Sequence, residues 1–191
     1  MKKENLKLYI KTTLTLCIMA GVSAGVVGLV NYFTAPTIAV NSILREENAC
    51  KEIYSKATSF DKEFDAEEEN SYGFKYVTKS WRALNGSADF YGLVFRCTGK
   101  NAYGGISLIV GFNKDYSVEK VKVVENTESF ATTVNDYIKT TYNGDTTIQY
   151  DDISNLDVSC GATYGAKLVR SMLVEAGGGA KKMMFGETYE K

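Results

Sequence analysis

The chain has an uncharged and largely apolar stretch near its N-terminus, residues 12–44, which limits the possible folds more than any other feature. Its most apolar part, residues 14–33, is 20 residues long. At about 1.5 Å per residue, a helix of this length spans a hydrocarbon core of about 30 Å. Because a helix satisfies its backbone polar groups internally, a single helix is the simplest way across a bilayer. The sequence therefore predicts an N-terminal transmembrane helix.

Lysine side chains set the expected orientation of this anchor. Four lysines and one glutamate precede the apolar stretch, and the positive-inside rule then places the N-terminus in the cytoplasm. The expected localisation is the cell membrane, with a single pass and an extracytoplasmic C-terminal domain. A cleaved signal peptide is the alternative, because residues 23–25 are small. However, the apolar run exceeds a signal core of about 7–15 residues, and no A-x-A site closes it.

Composition narrows the chemistry of the remaining chain. The sequence has no histidine, which removes the commonest metal ligand and the base of Ser-His and Cys-His nucleophiles. Its four cysteines show no C-x-x-C spacing, and one of them lies in the apolar stretch. We therefore expect no metal site, and small buried thiols in place of a disulfide framework. A net charge of −1 gives no indication of nucleic-acid binding.

The segment after the anchor has the features of a helical stalk. Thr34 and Pro36 are typical of a helix start, with a hydroxyl cap and a proline in the first turn. Apolar residues then recur at roughly helical spacing, so the anchor, residues 1–34, is expected to continue into an amphipathic stalk helix over residues 35–58. The acidic stretch 61–69 is interpreted as a solvated loop or a weak helix.

From residue 72 the pattern changes to short runs rich in β-branched and aromatic residues, separated by turn sequences. This pattern predicts an antiparallel meander. The predicted strands are residues 73–78, 90–97, 106–112 and 118–124, with turns at 85–86, 99–101 and 113–116.

The C-terminal part is expected to be mainly helical. Helices are predicted over residues 129–141 and 166–176, with a short strand over 147–150, and three consecutive glycines are expected to end the last helix. The predicted fold class is therefore α+β: a mainly antiparallel sheet flanked by helices, in a domain over residues 59–179. Residues 180–191 are expected to form a surface tail.

Residues 157–165, with the sequence D-V-S-C-G-A-T-Y-G, form the candidate site. They are a turn of small residues before a predicted helix, whose N-terminal N–H groups and dipole favour a phosphate. Ser159 and Thr163 offer hydroxyl groups, and Gly161 lets the backbone approach a ligand closely. Taken by themselves, these residues favour a structural turn with a threonine cap over a ligand site.

The same segment resembles a flavinylation motif, D-x-x-S/T-G-A-T, of membrane-anchored FMN-binding domains. The motif is found in the G subunit of Rnf complexes and the C subunit of sodium-translocating NADH:quinone reductase. In that family a flavin transferase joins the phosphate of FMN to the hydroxyl of the last threonine. The resemblance implies that Thr163 is the acceptor and that Asp157, Gly161 and Ala162 complete the motif. Cys160 stands where the family usually has serine or threonine.

Other segments are similar to the same family. Residues 30–39, V-N-Y-F-T-A-P-T-I-A, resemble the junction after the anchor in Rnf G subunits. Residues 103–106 and 110–112 resemble its Y-G-G-x-I and V-G strands, and residues 128–133 occupy the place of its E-T-P-G-L-G element. The FMN-binding residues that the resemblance implies are Thr163, Asp157, Ser159, Cys160, Gly161, Ala162, Tyr164, Tyr103, Gly104, Gly105 and Glu128. Without the resemblance, residues 103–105 would be a turn or bulge and Glu128 a solvated carboxylate.

The resemblance implies an electron-transfer subunit of an Rnf-type ferredoxin:NAD oxidoreductase. Such a complex oxidises ferredoxin, reduces NAD and moves sodium ions or protons, and this chain would supply one relay step through covalent FMN. Its expected partners are neighbouring membrane subunits and, for maturation, a flavin transferase. Two alternatives stay open: a stand-alone membrane-tethered flavoprotein that passes electrons outside the cytoplasm, and a flavin-free structural subunit of a membrane complex.

Overall fold

The computed structural model describes residues 3–68, 72–86 and 89–185. The chain forms two compact units, Met1–Leu44 and Arg45–Lys191. We call them the anchor unit and the folded unit.

The anchor unit is helical over its described residues and belongs to helix α1, Lys3–Ile53. This helix is long and apolar enough to cross a membrane, with a mean hydropathy of 2.1 in its most apolar window. Its large apolar side chains between Leu8 and Leu44 are exposed, as a lipid-facing helix requires. The predicted N-terminal apolar helix is therefore confirmed as a candidate membrane span.

The helix start predicted at Thr34 and Pro36 is wrong, because α1 continues through both residues. The Thr34 hydroxyl donates to the Val30 carbonyl at 2.9 Å, one turn back inside the helix, and caps nothing. Pro36 lies in the helix interior, where it has no N–H to give to the preceding turn. Helix α1 runs without interruption from the apolar stretch to Ile53, and the division into an anchor and an amphipathic stalk over residues 35–58 stays a prediction.

Five antiparallel strands form the sheet of the folded unit, and each strand pairs with the next along the chain. This meander, together with the flanking helices, confirms the predicted α+β fold class. The strands are β1 (Ser59–Asp65), β2 (Val77–Asn85), β3 (Asp89–Asn101), β4 (Gly104–Asn113) and β5 (Val118–Asn126).

The first strand was not predicted, because its acidic sequence resembles a solvated loop. Strand β1 lies at the edge of the sheet, where exposed charged side chains are common. Phe64 anchors it: the side chain is 5% exposed and its ring contacts that of Phe74, with centroids 5.4 Å apart. The prediction of a loop or weak helix over residues 61–69 is therefore wrong through Asp65.

Three other local predictions differ from the structure. The strand predicted over residues 73–78 begins only at Val77 and runs on to Asn85. Residues 99–101, predicted as a turn, still belong to β3 and pair with β4. The short strand predicted over 147–150 is a single bridge between Ser117 and Gln149.

Each face of the sheet carries a cluster of buried residues, since side chains of successive strand residues point to opposite sides. Leu93, Phe95 and Cys97 of β3 belong to the larger core cluster, which includes residues of the helices after the sheet. Val94 belongs to a smaller cluster on the other face, with Ile53 at the end of α1. The helices after the sheet are α2 (Ala131–Thr141), α3 (Tyr150–Ile153) and α4 (Thr163–Phe185).

Helix α4 does not end at its three glycines but continues to Phe185, so the predicted helix end is wrong. Gly177 is required by close packing, because a Cβ atom there would lie 2.1 Å from Cδ2 of Tyr150. Ala180, the first residue of the predicted surface tail, is fully buried. Residues 186–191 of that tail lie outside the described residues. The limits of the FMN-binding domain, 59–179, stay a prediction.

The cysteines are free thiols, and the two in the core of the folded unit are buried as predicted. Cys50 is 2% exposed and Cys97 is fully buried. Burial raises the pKa of the Cys97 thiol, so this group stays neutral and serves as a small core side chain.

Candidate functional site

Six of the residues predicted to bind FMN line one cavity of about 260 Å³ in the folded unit, which we call the Thr163 cavity. Its wall comes from three segments: the turn between β3 and β4, the connection from β5 to α2, and the start of α4. The six are Tyr103, Glu128, Gly161, Ala162, Thr163 and Tyr164, and Phe130 and Gly165 complete the lining.

The N-terminus of α4 opens into this cavity. The Ala166 N–H donates to the Ala162 carbonyl at 3.0 Å, so Ala162 occupies the N-cap position. An alanine side chain cannot accept a hydrogen bond from the first N–H groups of the helix, which serine, threonine, asparagine or aspartate would do. Ala162 therefore supplies no side-chain cap to the N-terminus of α4, and Thr163 beside it is partly exposed.

The turn before the helix is shaped by Asp157 and Gly161. The Ser159 N–H donates to Oδ1 of Asp157 at 2.9 Å, and this hydrogen bond lowers the pKa of the exposed Asp157 carboxyl group. Gly161 has φ +80°, a left-handed conformation that glycine adopts without steric cost. Asp157, Ser159 and Cys160 thus precede the cavity wall and do not line the cavity.

Glu128 is buried, with 6% of its surface exposed, and is not the solvated carboxylate of the alternative interpretation. Nδ2 of Asn101 donates to its Oε1, while the Glu128 backbone N–H donates to Oδ1 of Asn126 at 3.0 Å. A Cβ atom on Gly165 would lie 2.3 Å from its other oxygen, Oε2. The carboxylate is therefore held against the first turn of α4.

Gly104 and Gly105, which were also predicted to bind FMN, lie next to the Thr163 cavity but do not line it. Gly104 has φ +147°, and a Cβ atom there would lie 2.5 Å from the Thr127 carbonyl oxygen. The Gly105 N–H donates to Oγ1 of Thr127 at 3.0 Å. Gly104 lets the start of β4 pack against the β5–α2 connection, and Tyr103 reaches the cavity while neither glycine lines it.

Three exposed aromatic side chains lie beside one another at the cavity. Tyr103, Phe130 and Tyr164 are 43%, 52% and 64% exposed. The ring centroid of Tyr103 lies 6.1 Å from that of Phe130 and 5.6 Å from that of Tyr164. Neighbouring exposed aromatic rings form an apolar surface that suits a flat ligand.

Sequence reasoning missed three residues of this site: Phe130, Gly165 and Asn101. Gly165 carried a signal, because glycine in the first turns of a predicted helix costs stability and needs a packing reason. Asn101 precedes the turn, and its Oδ1 accepts the Tyr103 N–H at 2.8 Å. Asparagine in such turn-forming positions is common, but its second contact, to Glu128, depends on the tertiary fold.

Comparison with known proteins adds one similarity. Residues 1–53 match the family model described as the RnfG N-terminal region. The match covers α1 and supports an RnfG-like, membrane-anchored subunit of an Rnf-type complex. No curated protein matches the chain at a significant level.

Proposed function

We propose that the folded unit carries FMN in phosphoester linkage to Thr163 and relays electrons as the G-type subunit of an Rnf-type ferredoxin:NAD oxidoreductase. The observation that carries this proposal is the position of Thr163, in the cavity wall at the N-terminus of α4, next to the N-cap residue Ala162. The similarity of residues 1–53 to the RnfG N-terminal region supports the same subunit.

The residues present fit a flavin nucleotide. A phosphate on the Thr163 hydroxyl would lie at the positive end of α4. The N-cap residue there, Ala162, has no polar side chain that would compete with the phosphate. At about 260 Å³, the cavity is smaller than the usual ligand pocket of about 300–1,000 Å³. A flavin would therefore also need the exposed surfaces of Tyr103, Phe130 and Tyr164.

Attachment of FMN would require that the transferase can reach the Thr163 hydroxyl oxygen. The transferase would supply the catalytic groups. A flavin transferase would supply an activated flavin nucleotide, and Oγ1 of Thr163 would form the new bond to phosphorus. The bond between that phosphorus and the oxygen of the leaving group would break, the leaving group would keep the electron pair, and the hydroxyl proton would pass to the leaving group or to solvent. The neighbouring Gly161 is exposed and bears no side chain, so the turn leaves room for the transferase beside the hydroxyl.

FMN would supply one- and two-electron redox chemistry, and the chain would supply tethering and environment. Thr163 keeps the carrier from diffusing away. Glu128 is the carboxylate in the cavity wall, and because Asn101 fixes one of its oxygens, its position is well defined. It can accept a hydrogen bond or a proton from a ring N–H group.

The proposed setting is a single-pass subunit whose N-terminus is cytoplasmic and whose folded unit is extracytoplasmic. Four lysines before the apolar stretch support this orientation. Neighbouring membrane subunits would donate and accept the electrons, and the complex would move sodium ions or protons.

The test is flavin fluorescence of the denatured polypeptide after expression with the flavin transferase. We expect a fluorescent band for the wild type, none for Thr163→Ala, and an unchanged band for the matched hydroxyl variant Ser159→Ala. Fluorescence retained by Thr163→Ala would place the acceptor elsewhere. A wild-type chain without fluorescence would favour a flavin-free structural subunit. The sequence argument for that alternative is that residues 128–133 differ from the E-T-P-G-L-G element of the family.

A further inference from the structure

The folded unit has a second and larger cavity, of about 550 Å³, which we call the α4 cleft. It shares no lining residue with the Thr163 cavity. One wall is the face of α4 between Arg170 and Lys182, and the other is the segment of residues 72–75 that leads to β2. This volume lies within the usual range of small-molecule pockets, about 300–1,000 Å³.

The glycines of α4 help to form this cleft. Gly178 and Gly179 lie in its lining, and a Cβ atom on Gly179 would lie 2.9 Å from Cζ of Phe74. Glycine inside a helix costs about 1 kcal/mol relative to alanine. Glycine occurs here because the backbone of α4 forms the wall of the cleft and packs closely against Phe74.

The charge of the lining is positive. Arg170, Lys182 and Lys75 contribute three cations and Glu175 one anion, which gives a net charge of +2. The Glu175 carboxylate is already engaged, since its Oε1 accepts two backbone N–H groups next to the start of β2, at 2.6 and 2.8 Å. The cleft therefore has more cationic than anionic groups available to a ligand.

The cleft also has a flat apolar surface. The rings of Tyr72 and Phe74 are stacked, with centroids 5.4 Å apart and planes 13° apart. Val174 lies in the lining across from them on α4. The Lys182 ammonium lies 4.8 Å from the centroid of the Tyr72 ring, so a cation and an aromatic face occur side by side.

We propose that the α4 cleft binds a small aromatic anion: one carboxylate or phosphate group on a ring-bearing, apolar body. The anionic group would pair with Lys182, and the ring would pack between Phe74 and Val174. This assignment is independent of the flavin on Thr163, because it uses other residues and needs no covalent bond.

The test uses 1-naphthyl phosphate as the probe and the full chain in phosphatidylcholine nanodiscs, prepared without the flavin transferase. Fluorescence titration should show saturable binding. Neutral 1-naphthol and inorganic phosphate should each bind roughly tenfold more weakly, because each lacks one of the two recognised features. Equal binding of either compound would overturn the proposal, as would the absence of saturable binding of the probe.

Matched variants assign the binding to the cleft. Lys182→Gln should weaken binding roughly tenfold, whereas Lys167→Gln, an exposed position of α4 outside the cleft lining, should not change it. Tyr164→Ala, in the Thr163 cavity, should leave binding unchanged. Binding of Lys182→Gln within about threefold of wild type, or an equal loss in Tyr164→Ala, would contradict the proposal.

Discussion

Gly165 and Glu128 are packed so closely that a Cβ atom at position 165 would lie 2.3 Å from Oε2 of the carboxylate. The same atom would lie 2.5 Å from Cγ2 of Val134 in α2. One glycine thus lets three parts of the chain meet at the Thr163 cavity: the first turn of α4, the β5–α2 connection and α2 itself. The shape of the candidate site depends on this approach.

Gly165→Ala should therefore disturb the cavity and destabilise the folded unit by about 1–3 kcal/mol, the usual cost of overpacking. The matched control is Gly105→Ala, where the nearest atom to the new Cβ would lie 3.4 Å away, on the flexible Lys100 side chain. The measurement is the free energy of unfolding in denaturant, with flavin per polypeptide as a second readout. Equal stability of the two variants would show that the close approach has no energetic consequence.

The sequence predicts those parts of the fold that depend on neighbouring residues in the chain. It does not predict the parts that depend on contacts between distant segments. The runs of β-branched and aromatic residues in β3, β4 and β5 and the turn sequences near them are local features, and those strands were predicted. Phe64 in β1 and the glycines of α4 have roles set by distant partners, Phe74 and Tyr150, so the edge strand was missed and the helix was predicted to end too early.

The same distinction holds for the candidate site. The small residues before α4 are a local feature, and the sequence predicted them. The predicted helix start at residue 166 and the predicted threonine cap are wrong, because α4 begins at Thr163 and Ala162 is its N-cap residue. The burial of Glu128 is not local: it depends on Asn101, at the far end of β3, and on Gly165 in α4. Periodicity and turn propensity contain no information on such pairs.

The contribution of the Asp157 carboxylate to the free energy of unfolding should decrease at acidic pH. Because its hydrogen bond with Ser159 lowers the pKa of Asp157 in the folded state, the stabilisation is present above the unfolded-state pKa of about 3.9. It is lost as the pH falls through the lower folded-state pKa. Asp157→Asn should abolish this contribution, so the difference in unfolding free energy between wild type and variant should shrink below about pH 4. A difference that grows on acidification would contradict this role.

We expect that the Cys160 thiol has no specific role, although the resembling family usually has serine or threonine at this position. Its thiol is partly exposed and its backbone N–H donates to the Val158 carbonyl at 3.0 Å, an interaction that does not involve the side chain. We expect Cys160→Ser to keep full flavinylation and electron transfer, whereas Cys160→Asp should weaken both by placing a negative charge near the proposed phosphate. Flavin per polypeptide, measured after expression with the transferase, distinguishes these outcomes. Loss of flavin in Cys160→Ser would show a specific role for the thiol.

The orientation of the chain can be tested with protease. Added to the outside of spheroplasts, a protease should cleave beyond residue 34 and leave an N-terminal epitope protected, because the lysines before the apolar stretch favour a cytoplasmic N-terminus. The same protease added after lysis should also remove the epitope, which serves as the control. A folded unit that is protected until lysis would reverse the proposed orientation.

The central claim, a flavin held covalently at Thr163, is tested most directly by the intact mass of the full chain. The protein is expressed with the flavin transferase, denatured and weighed, and then compared with Thr163→Ala prepared in the same way. We predict that the wild type carries the added mass of one esterified FMN and that Thr163→Ala has the mass of the bare polypeptide. A wild-type chain at its bare mass, or a Thr163→Ala chain that still carries the addition, would contradict the account.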